Sequence, residues 1–123
     1  MLRKFIILSA LAASLMALEP KVVTEAKALS KAGKHPEAIA ALEGAMKTSP
    51  KDAVALKAAL ASSYVGLGDF NMFNEQLPPM RKYPAALRAY RKALEFDKTN
   101  AKATANVKTI EDIYKSMGRP VPQ

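Results

Sequence analysis

The chain has 123 residues, half of them apolar, with a formal charge of +8 and no cysteine. That length suits one domain with a real core, and the dominance of Ala, Leu, Lys and Glu over Gly and β-branched residues is a helical composition. Without cysteine there is no disulfide framework, thiolate metal site, cysteine nucleophile or lipidated lipoprotein anchor.

The N-terminus reads Met1-Leu2-Arg3-Lys4, then FIILSALAASLMAL, then Glu19-Pro20. A short basic stretch, an apolar run and small residues near its end form the pattern of a secretory signal. As a helix, Phe5 to Leu18 would be about 21 Å long, short of the roughly 30 Å of a bilayer core. The expectation is a signal peptide over 1–17, cut after Ala17, and an exported protein that is periplasmic or secreted. The alternative is an uncleaved segment that anchors it to the inner membrane. The charge is also uneven. Residues 18–78 carry seven Lys against seven acids, whereas residues 79–123 carry ten Lys or Arg against four acids, a net of +6.

Helices are expected near 20–32, 36–48, 53–67, 84–97 and 101–117, all within one unit over 18–123. The first hairpin, 20–50, turns at Gly33, and Pro36 suits a first helical turn. Ala38, Leu42 and Ala45 share one helix face, where the alanines admit a neighbouring backbone and Leu42 fills the gap. Pro50 stops that helix, and Asp52 is placed to cap the next. In the second hairpin, 53–98, Leu60, Ala61 and Tyr64 precede Gly68, read as another turn glycine. The Ala, large, Ala spacing then returns at Ala86, Tyr90 and Ala93, 13 residues later than the first hairpin predicts. The insertion, near 69–83, is read as a loop in the hairpin turn, held extended by Pro78-Pro79. Asn100 caps a last helix, 101–117, with Val107, Ile110 and Tyr114 ahead of Gly118; Pro120 is expected to end the ordered chain.

This order of turn glycine, Ala, large residue, Ala and closing proline, with Leu, small residue and Tyr on the preceding helix, resembles the tetratricopeptide repeat. The resemblance covers nearly all of 20–118 and implies an all-α fold: antiparallel hairpins stacked as a short right-handed solenoid with a C-terminal capping helix. It also implies a non-catalytic protein–protein interaction module, a scaffold or adaptor in a bacterial cell envelope. Partners of such modules lie in the groove of the first helices, whose facing positions here are Val23, Lys27 and Ser30, then Ala55, Ala58 and Ser62, then Lys108 and Asp112. Of a carboxylate clamp known in the family only Lys27 comes near; Ala59, Ala105 and Thr109 stand at the other polar positions.

No residues are arranged for catalysis. His35 is the sole histidine, beside Pro36 in a turn, with no nucleophile or paired carboxylate placed to work with it. Glu111 and Asp112 diverge around their helix, and no glycine-rich phosphate loop exists. Neither a catalytic residue, a metal ligand nor a cofactor site is expected.

Two features exceed a minimal repeat. The insertion carries Phe70, Phe73 and Met80, side chains that suit adaptable protein contacts. A basic stripe, Arg88, Arg91 and Lys92, faces away from Ala86, Tyr90 and Ala93 and suits an acidic protein. The candidate partner-binding residues are therefore these six with Lys27 and Ser62 of the groove, and the expected partner is a protein or peptide, not a nucleic acid. A membrane partner enters only if residues 1–17 stay attached. The alternative function is structural: a homo-oligomer that self-associates through its uncapped first hairpin.

Overall fold

The structure, a computed structural model, describes residues 19–123; the expected signal segment lies outside the described residues. Five α-helices follow one another: α1 (Lys21–Lys31), α2 (His35–Thr48), α3 (Ala53–Met72), α4 (Pro79–Phe96) and α5 (Ala101–Ser116), with a 3-10 turn at Pro50–Asp52. Among the described residues there is no strand, and each helix packs on the next, while α1 also meets α3. No helix among the described residues is long and apolar enough to cross a membrane.

The first hairpin closes as its sequence predicts. Gly33 stands at φ 78°, in the left-handed region that a side chain disfavours, and it reverses the chain between α1 and α2. His35 is the first residue of α2 rather than part of the turn. Val23 and Ala26 of α1, Ala38, Ile39 and Leu42 of α2, and Leu56 and Leu60 of α3 form the first core cluster. The close fit of the alanines brings the helix axes together, and Leu42 is fully buried between them.

The second hairpin departs from expectation. Residues 69–83 are not a loop: α3 runs on to Met72 and α4 starts at Pro79, so the connection is only 73–78. The inserted residues lengthen both helices. Pro78 alone supplies extended backbone, at φ −68° and ψ 154°, and Pro79 occupies the first turn of α4, where its missing N–H costs nothing. Pro84 lies inside α4 and withholds one backbone donor from it. Gly68 is not a turn residue either. It is buried mid-helix, and a Cβ there would stand 2.5 Å from Cε1 of Tyr90, so glycine serves the approach of α4 to α3.

The second cluster gathers Val65 of α3, Ala86, Leu87, Tyr90 and Ala93 of α4, and Ala103, Ile110 and Tyr114 of α5. Tyr64 touches both clusters, stacked on Phe96 at 5.9 Å between ring centres. The Tyr64 hydroxyl donates to Glu43 at 2.8 Å, and burial followed by that bond pushes its pKa up to about 12.

Of the two expected caps, one forms. Asn100 Oδ1 accepts from the Ala103 amide at 2.9 Å, satisfying an orphan donor at the start of α5. Asp52 makes no side-chain cap; the 3-10 turn carries the chain into α3 instead. Gly118, at φ 65°, ends α5 as a glycine past the last helical turn does. Order does not stop at Pro120: Val121 packs on the second cluster.

Candidate protein-interaction surface

Packing of α1 on α3 leaves a shallow groove, because the residues of α3 that face it are small. One stretch is lined by Glu19, Val23, Lys27, Ala55, Ala58, Ala59 and Ser62. The adjoining stretch is lined by Lys27, Ser30, Lys31, Ser62 and Ser63. Lys27 and Ser62 belong to both, so the groove is continuous. The positions assigned to the first two groove helices do come together, whereas Lys108 and Asp112 pair with each other at 2.8 Å on α5 and line neither stretch.

Charge in the groove is arranged at its edge. Lys27 Nζ pairs with Glu19, and that bond holds the Glu19 carboxyl below its ordinary range. The Ser30 hydroxyl oxygen is buried with no hydrogen-bond partner.

The face that carries Ser62 continues along α3. Gly66, Phe70 and Phe73 follow Ser62 at spacings of four, eight and eleven, which keep to one side of a helix. A Cβ on Gly66 would stand 2.7 Å from His35 Cε1, so the imidazole of α2 lies directly over that glycine. The same ring is 6.3 Å from that of Phe70, and its Nδ1 is buried without a partner. Beyond it Phe70 and Phe73, 55% and 65% exposed, line an open recess with Asp69, Asn74, Glu75 and Gln76. The insertion thus carries two aromatic side chains past the end of α1: Phe70 in the last turn of α3 and Phe73 as the residue that caps it and opens the connection.

The basic stripe is not one surface. Arg91 turns toward residues beyond α5 and donates to the Pro122 carbonyl at 2.8 Å. Lys92 pairs with Glu95 at 2.9 Å and lies 6.0 Å from the Phe96 ring centre; the Glu95 bond holds its ammonium above the ordinary lysine range. Arg88 makes no ion pair among the described residues, and with Lys92 it rims a recess floored by Tyr64, Leu67 and Asn71 of α3. That recess shares no residue with the one at Phe70 and Phe73. On α3, Asn71 follows Phe70 by one residue, about 100° around the helix. The aromatic pair and the arginine therefore face different ways. Met80 is exposed at the start of α4, with Arg119 Nη1 3.1 Å from its sulfur.

Sequence reasoning missed the polar joint behind this surface. The buried Tyr90 hydroxyl donates to Asp69 Oδ1 at 2.5 Å. Lys102 Nζ meets Asp69 Oδ2 at 2.6 Å, and Asn106 Nδ2 reaches Oδ1 at 3.4 Å. One carboxylate thus ties α3 to α4 and α5. Burial first, and then the bond to Asp69, drives the Tyr90 pKa upward. The available signal was a tyrosine at a position that is leucine in the first hairpin, since a buried phenol needs an acceptor.

No family model matches the chain, and no curated protein or solved structure matches it.

Proposed function

We propose that this chain is an exported, non-catalytic protein-interaction module, a short tetratricopeptide-like array that holds a helical segment of a partner protein along the α1–α3 groove. The observation that carries the reading is the groove itself, continuous from Glu19 to Ser63 over a floor of small residues. A small-residue floor lets a partner helix approach closely, and two exposed aromatic rings in a separate recess beyond His35 supply anchors of the kind that dominate binding energy. An exposed apolar pair at the end of α3, instead of tucked against the bundle, is otherwise a liability. Lys31 at the groove edge favours an acidic residue on the partner. The packing of α1 on both α2 and α3, with Gly33 between, supports the repeat reading. The basic, apolar, small order of residues 1–17 supports export.

The test is a photoreactive residue placed at position 62 or at position 88 in the intact chain, in cells. Position 62 should trap one partner reproducibly and position 88 should not. Phe73→Ala should speed that partner's release, and Ser62→Arg should abolish binding by filling the groove. A partner trapped from position 88 alone, or bound normally by Ser62→Arg, sinks the reading. Native protein whose mass still includes Met1 to Ala17 would sink the cleaved-export part of it.

A further inference from the structure

Residues 119–123 read Arg-Pro-Val-Pro-Gln. Pro120 and Pro122 fix their own φ and push Arg119 and Val121 toward extended backbone. The stretch is therefore stiff before it touches anything, and little chain entropy is lost when it docks. It lies along α4 in that helix's own direction: Arg119 meets Met80 near the start of α4, and Pro122 meets Arg91 near its end. Between them Val121 packs, half-buried, on the cluster that includes Leu87, Ile110 and Tyr114.

The hold is selective but thin. It consists of one apolar side chain, one charge-assisted bond from Arg91 to a backbone carbonyl, and one contact to a methionine sulfur. The Arg119 amide donates to the Tyr114 carbonyl at 3.0 Å and closes α5; from Pro120 onward no backbone group bonds to another. Gly118, in the left-handed region, is the pivot. The stretch can leave without breaking any helix, and its departure uncovers Arg91 and an apolar face.

We propose that this face of α4 is a docking site for an extended segment with an apolar residue between two prolines. Residues 119–123 fill it in cis until such a segment of a partner protein replaces them. Recognition is by the apolar face on which Val121 packs and by Arg91 reading a carbonyl, which extended, proline-containing backbone leaves without a backbone partner. A segment attached to its own site competes at an effective concentration of about a millimolar, so the site is closed to weak ligands and open to a tighter one.

The probe is a labelled peptide with the sequence of residues 118–123, followed by fluorescence anisotropy against the 123-residue chain. Val121→Asp in the chain expels its own segment, and the peptide should then bind saturably. The unaltered chain should bind it about tenfold more weakly or worse, since its own segment competes. Adding Arg91→Ala to Val121→Asp should remove most of the binding, and so should aspartate in place of valine in the peptide. Circular dichroism checks that the helices persist; if Val121→Asp unfolds the chain, Val121→Ala takes its place under the same criteria. The proposal is overturned if a folded variant fails to bind the peptide, if variant and unaltered chain bind it alike, or if Arg91→Ala makes no difference. Residues 119–123 would then be a fixed cover on the second cluster.

Discussion

Ala38, Leu42 and Ala45 of α2 repeat in spacing as Ala86, Tyr90 and Ala93 of α4, and both large residues are fully buried, but the two hairpins around them are built differently. In the first, Gly33 reverses the chain at a positive φ and Leu42 packs in an apolar cluster. In the second, the reversal takes residues 73–78, after α3 has run to 20 residues, without a positive φ. There the large residue is a tyrosine whose hydroxyl must be satisfied. Its acceptor, Asp69, also draws in Lys102 and Asn106 of α5. One spacing therefore yields a joint closed by apolar packing in the first hairpin and, in the second, a joint that also rests on a polar tie to the helix after it.

The largest expected effects fall on the two matched residues. Leu42→Ala should cost about 2–5 kcal/mol and Tyr90→Ala about 3–5 kcal/mol, through cavities in close-packed sites. The contrast lies in Tyr90→Phe, which keeps the ring and removes only the donor to Asp69. It should cost about 1–2 kcal/mol and loosen α5, seen as faster amide exchange there than in α1 or α2. Urea melts that place Tyr90→Phe level with the parent would dissolve the distinction between the joints.

Next come the glycines. Gly68→Ala forces a Cβ into the buried Tyr90 ring, an overpacking that should cost about 1–3 kcal/mol. Gly33→Ala meets no atom within 4 Å but must hold a left-handed φ, at about 1 kcal/mol. Thermal melts should rank them in that order, and the reverse ranking would return Gly68 to the status of a turn residue.

These glycines mark what was legible in the sequence. Gly33, the two Ala, large, Ala runs, the Asn100 cap and the end of α5 at Gly118 were readable because each is decided within a turn or two of chain. The course of residues 69–83 was not. Gly68 reads as a turn and Pro78-Pro79 as extended chain on local grounds, but the packing of α4 on α3 carries the helices through most of the stretch. The all-α class was legible, and so was the meeting of Lys27 and Ser62 in one groove. The division of the basic stripe was not, because no local rule sends Arg91 to the carbonyl of a residue 31 positions on.

A smaller effect separates the two expected caps. Asn100→Ala should cost about 1 kcal/mol, because the Ala103 amide loses its acceptor. Asp52→Ala should stay within about 0.5 kcal/mol, as a surface change that removes no cap. Equal losses in chemical denaturation would mean that Asp52 caps α3 in solution after all.

The gentlest way to pull the hairpins apart is alkali. Residues 19–52 contain no tyrosine, whereas the junction and the second hairpin hold Tyr64 and Tyr90, both with pKa values raised from the ordinary 10.0. A raised phenol keeps its proton in the folded state at a pH where the unfolded chain has begun to lose it. The folded state then binds more protons, so stability falls as pH rises. The contribution is fully present below about pH 10 and is lost upward through the folded values, which for Tyr64 is about 12. Ionised Tyr90 would face the Asp69 carboxylate without a proton between them, so its loss should strike the α3–α4–α5 joint first. Helix content and melting temperature followed from pH 8 to pH 12 should decline in the parent. Tyr90→Phe, although weaker at neutral pH, should decline less steeply, and Tyr64→Phe should show a smaller flattening because that hydroxyl is less buried. A Tyr90→Phe curve parallel to the parent's would place the alkaline sensitivity elsewhere, and the buried phenol would no longer distinguish the second joint from the first.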